Sequence, residues 1–106
     1  MKLFFTLAAL LAAASPMLGQ GQDHKIIQTN KTFSQADITI KAGESILFVN
    51  ADEVTHNVYS VTPGMTFDLQ RQAPGASSSM KFSKPGTAQV QCAIHPKMKL
   101  TVHVQK

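Results

Sequence analysis

The chain has 106 residues, a formal net charge of +4 and 43% hydrophobic residues, enough for one small domain with a modest core. Its ten Lys and Arg are scattered rather than run together, and six Phe and one Tyr offer no stacking platform, so nucleic acid is excluded as the expected partner. A single cysteine excludes a disulfide framework within the chain.

At the N-terminus, Met1-Lys2 is followed by an apolar run from Leu3 to Ala14 broken only by Thr6, then by Ser15-Pro16 and Gly19-Gln20-Gly21. A short positive segment, an apolar stretch and small helix-breaking residues, in that order, predict a secretory signal peptide over residues 1–21. The apolar run is too short for a membrane span, which needs about 20 residues. Gly19 and Gly21 meet the small-residue rule for cleavage after Gly21, and Ala12 and Ala14 meet it as well. The expected mature domain is therefore residues 22–106, exported to the periplasm, with a net charge of +3 once Lys2 is removed.

The mature region reads as short strands with turn punctuation and no helix-length periodic segment. An N-terminal strand is predicted near Lys25–Thr29. Ala36 to Lys41 alternates apolar and polar, as a half-buried strand does, and Ala42-Gly43-Glu44 turns it. Ser45–Asn50 is more continuously apolar and suits a central strand. Asn57–Val61 is another strand, closed by Pro63-Gly64. Leu69–Ser77, containing Ala73-Pro74-Gly75, reads as a long loop over one end of the fold, and Met65–Arg71 is compatible with one short helical turn. Ser78–Ser83 alternates, Pro85-Gly86 is a strong turn signal, and Thr87–Ala93 puts Ala88, Val90 and Cys92 on one face. Leu100, Val102 and Val104 alternate with Thr101, His103 and Gln105 in the last strand. Seven or eight short strands between Gly and Pro turns predict an all-β antiparallel sandwich or barrel.

The chemistry is concentrated in Cys92-Ala93-Ile94-His95-Pro96-Lys97-Met98. Outside the cytoplasm an unprotected thiol oxidises, so Cys92 is either buried and inert or has its sulfur occupied. A thiolate, an imidazole and a thioether within seven residues, in a loop between two predicted strands, can all face one ion. A second imidazole is available at His56, at the start of its strand. One thiolate and two imidazoles with a weak axial thioether form the ligand set of blue-copper sites. Structural zinc would call for more cysteines, and haem attachment for a second Cys two residues before a Cys-His pair.

These segments resemble the small cupredoxins, plastocyanin and amicyanin most closely, over roughly Ile38 to Val104. Ala42 to Asn50 is similar to the family's early turn and central strand, Thr55-His56-Asn57-Val58 to its first ligand, and Ala73-Pro74-Gly75 and Gly86 to its later turns. Cys92, His95 and Met98 match the ligand loop, with the shorter, amicyanin-like spacing from His to Met. The departures are Gln91 where plastocyanins commonly carry an aromatic residue, and Lys81 and Lys84 where an acidic patch is common; both bear on plastocyanin's remote electron-entry route.

The resemblance implies a cupredoxin-like Greek-key β-sandwich with one copper ion on His56, Cys92, His95 and Met98, and a hydrogen bond from Asn57 tying the His56 and Cys92 loops together. The expected function is transfer of single electrons between redox protein partners that dock near His95, on a rim of Ala93, Ile94 and Pro96 joined by Pro63 and Met65, with Lys97 and Lys99 steering an acidic partner. The chain is expected to act as a monomer and not as an enzyme, since only His24 and His103 remain for a second centre. The alternative is a copper-binding protein for resistance or delivery.

Overall fold

A computed structural model describes residues 23–106; the predicted signal peptide, residues 1–21, lies outside the described residues. Nine strands follow in order: β1 (His24–Thr29), β2 (Thr32–Phe33), β3 (Asp37–Lys41), β4 (Glu44–Asn50), β5 (His56–Ser60), β6 (Phe67–Gln72), β7 (Ser77–Phe82), β8 (Gly86–Gln91) and β9 (Lys99–Gln105). They form a five-stranded sheet, β3-β9-β8-β5-β6, and a four-stranded sheet, β2-β1-β4-β7. The all-β sandwich expected from the sequence is what forms, and no helix is present among the described residues.

Alternation builds the core. In β9, Leu100, Val102 and Val104 point inward while Lys99 and Gln105 are exposed. In β4, Ile46 and Phe48 are fully buried, and Val58, Ala88 and Val90 meet them from the other sheet. Burial of this apolar surface, at roughly 25 cal/mol per Å², is the main driving force for closing the two sheets. A buried polar bridge also crosses between them: Gln28 Nε2 in β1 donates to Gln72 Oε1 in β6 at 2.8 Å, and Gln72 Nε2 donates to the Phe48 carbonyl at 3.1 Å.

Three expectations are corrected. The sandwich is not wholly antiparallel: β9 pairs with β3, and β1 with β4, in parallel. Phe67–Gln72 is a strand where a loop and a helical turn were expected, and the connection to β7 is the tight turn Ala73–Ala76. Gly75 supplies the positive φ of 89° that this turn requires. The two-residue strand β2 is also additional. It pairs with β1 through a hairpin whose central residues, Asn30 and Lys31, both take positive φ (50° and 58°), the twist that a two-residue hairpin favours.

Candidate metal centre

β5 begins at His56 and β8 ends just before Cys92, so adjacent strands deliver two donors to the same end of the sandwich. The segment from Cys92 to Met98 then bridges β8 and β9 and carries His95 back over them, closed by a hydrogen bond from Met98 N to the His95 carbonyl at 2.9 Å. Cys92 Sγ lies 3.8 Å from His56 Nδ1 and 4.0 Å from His95 Nδ1, and the two Nδ1 atoms are 3.1 Å apart. The point in that plane equidistant from all three atoms is about 2.1 Å from each, within the range of metal–imidazole and metal–thiolate bonds. These donors therefore fit one ion the size of a first-row divalent metal. His56 and Cys92 are buried and His95 is half-buried. Met98, at the end of the same loop, is buried with 2% of its surface exposed.

Two residues that sequence reasoning did not single out hold this arrangement. Asp52 Oδ2 accepts the Nε2 hydrogen of His56 at 2.9 Å, which leaves the lone pair on Nδ1, the atom facing Cys92. Backbone N–H groups of Lys31 (2.8 Å) and Glu53 (2.8 Å) also donate to Asp52. These bonds, led by that from Lys31 and followed by that from His56, draw its carboxyl down to about 2, so the acceptor is an anion. The loop carrying Asp52 is fixed in turn by Asn50, whose Nδ2 donates to the Val54 and Gln72 carbonyls while its Oδ1 accepts from Asp52 N. The second residue, Asp68, touches the centre through Asn57.

Asn57 ties the two loops together, as the resemblance implied. Its backbone N–H donates to Cys92 Sγ at 3.3 Å, and its Oδ1 accepts from Ala93 N at 3.2 Å. The spare histidines are engaged elsewhere, His24 with Glu44 at 2.9 Å and His103 with Asp37 at 3.0 Å.

Around the half-exposed His95 lies an apolar recess of about 300 Å³ lined by Lys31, Ile94, His95, Pro96 and Lys97. Pro63 and Met65 do not belong to this rim. β5 runs from His56 away from the centre, and the segment after it lines a separate cleft with Lys84, Pro85 and Gly86, where β8 begins. Their expected place beside His95 is corrected accordingly, and Lys31, from the β1–β2 hairpin, occupies the rim instead.

Residues 22–105 match the family model described as copper binding proteins, plastocyanin/azurin family. Amicyanin-alpha of Methylorubrum extorquens is 33% identical over 76 residues, a stretch that covers 69% of this chain and 64% of that relative, just under two thirds of its length. Among solved structures, a purple cupredoxin from Nitrosopumilus maritimus superposes with a TM-score of 0.70 at 22% identity, covering 78% of this chain and 100% of that one. A reduced variant of amicyanin gives a TM-score of 0.73 at 20% identity, with coverage of 84% and 87%. At such identities the superpositions speak for the fold. With the matched family model spanning nearly all of the described residues, the chain belongs to the plastocyanin/azurin family of copper-binding cupredoxins.

Proposed function

We propose that this chain carries single electrons between redox proteins through one copper ion held by His56, Cys92 and His95, with Met98 as a weak fourth ligand. The observation that carries the reading is the triangle of two imidazole nitrogens and one sulfur, buried on two corners and half-open at His95. Bound there, copper supplies a one-electron Cu(II)/Cu(I) couple. The protein's part is to keep the donors in one geometry. Asp52 sets the His56 tautomer, and the Asn57 N–H supports negative charge on the Cys92 sulfur. Water is kept from the two buried donors, while the half-exposed His95 ring provides the way out for an electron. The recess of Ile94 and Pro96 beside it supports docking of an apolar patch, and Lys31, Lys97 and the exposed Lys99 favour an acidic partner.

The proposal includes export to the periplasm, removal of residues 1–21, and action as a monomeric carrier without enzymatic turnover. Lys2 followed by the apolar stretch Leu3–Ala14 supports export, and the mass of the N-terminal peptide of the secreted protein tests it.

The decisive measurement is the visible spectrum after Cu(II) is added to the purified protein. An intense thiolate-to-copper band is expected, and Cys92→Ser abolishes it. A colourless Cu(II) adduct of the wild type overturns the reading.

A further inference from the structure

Asn57 is gripped at both ends of its side chain. Its Oδ1 accepts from Ala93 N, and its Nδ2 donates to Asp68 Oδ1 at 2.9 Å, with a longer contact to the Gln70 carbonyl at 3.4 Å. Asp68 reaches Asn57 because β6 is bulged. Asn57 pairs with Arg71 and Tyr59 with Asp68, so Leu69 and Gln70 together stand opposite Val58 alone. Gln70 completes the bulge at φ +67°, uncommon for a residue with a Cβ, and its N–H donates back to Asp68 Oδ1 at 2.7 Å. Without the extra residue the alternation of β6 would place Asp68 differently against β5.

We propose that Asp68, aimed by this bulge, is a positioning residue for the Cys92 loop. Its carboxylate decides which way the Asn57 amide faces, and that amide holds Ala93, and with it Cys92, in place. The reasoning is one of donors and acceptors. An ionised carboxylate only accepts and the Ala93 N–H only donates. With the amide reversed, Oδ1 would face the carboxylate and Nδ2 would face an N–H, two repulsive contacts in place of two bonds. Asn57 is itself 8% exposed, so its own amide gets little help from water, although Asp68 and Ala93 border an open cleft. The side-chain relay from Asp68 through Asn57 ends at Ala93 N, next in sequence to Cys92, whose sulfur separately receives the Asn57 backbone N–H. Its relevance to a metal rests on the copper reading above, whereas its structural content stands in the copper-free protein.

Amide hydrogen exchange measured by NMR on the copper-free protein reads the relay. In Asp68→Ala the Ala93 amide is expected to exchange about fivefold faster, the net value of one hydrogen bond, while Val102 in the core of β9 is unchanged. Asp68→Asn retains an acceptor oxygen without the charge, and most of the Ala93 protection is expected to survive. After loading with Cu(II), Asp68→Ala is expected to lose copper to a chelator faster than the wild type, and Asp68→Asn is not. Unchanged Ala93 exchange in Asp68→Ala overturns the proposal. So does an equal loss of Ala93 protection in the Asn and Ala variants, which would mean that the acceptor oxygen does not set the amide, and so does faster exchange at Val102 to the same extent, which would mean general loosening. A colourless wild-type adduct would instead sink the copper reading while leaving the Ala93 result intact.

Discussion

Asp52 receives three hydrogen bonds, from Lys31 N, Glu53 N and the His56 ring, and so joins an exposed hairpin to a buried imidazole. Met98 is held by packing in the core rather than by hydrogen bonds to its side chain, and as a weak axial donor it would contribute little to holding copper and much to setting the potential. Met98→Gln is expected to keep the thiolate band, shifted, and to lower the reduction potential, because a harder oxygen donor favours Cu(II). Met98→Leu removes the donor at similar volume, and the potential is expected to rise. Voltammetry on both variants checks this; unmoved potentials together with lowered melting temperatures would make Met98 a packing residue only. The clustering of Cys92 with His95 was legible because they share one short loop, and that of His56 because it opens a strand; the part of Met98, read from the same loop, stands as a proposal. Asp52 was not legible. It lies four residues before His56 in a loop, where that spacing has no fixed meaning, unlike in a helix. Asp68 was hidden by the bulge, since nothing in the letters Leu69-Gln70 announces a left-handed residue.

Among the strands, the clearest sequence signals came from those with one face in the core, such as β9 and β4. β6 was obscured because its bulge breaks the alternation: Phe67 and Leu69 are half-buried, but the next inward side chain is Gln72, three residues on. Alternation also says which face is buried and nothing of strand direction, so the parallel pairs β1/β4 and β3/β9 were not legible. The β1/β4 pair is pinned at one end by Glu44, which accepts from the His24 ring at 2.9 Å and from Lys41 N at 2.8 Å. These bonds, the His24 contact foremost, lower the Glu44 pKa from its ordinary 4.5. A carboxyl lowered in the folded state adds stability above its unfolded pKa and loses it as the pH falls through the folded one. Thermal melts of the wild type should therefore decline below pH 4.5 more steeply than those of Glu44→Gln. Parallel slopes for the two proteins would show that this contact adds nothing.

The whole molecule is a sandwich with a small core, and at about this size stability is modest without a staple. A ligand that binds only the folded state supplies one. Free Cu(II) at about 100 times its Kd is expected to add about 2.7 kcal/mol, which for a domain of this size raises Tm by roughly 10–20 °C. Chelation should reverse the gain, and Cys92→Ser should lack most of it; calorimetry with and without copper checks both. The order of the strands has a further consequence, for the timing of assembly. The donor loop lies between β8 and β9, and β9 is an interior strand flanked by β3 and β8. A nascent chain on the ribosome carries His56, Asn57 and Asp52 long before the strand that closes the loop exists, so it offers scattered donors and no pocket. In the exported chain, copper capture is expected only once β9 has slotted between its neighbours, and a chain cut within β9 would lack the strand that closes the Cys92 loop.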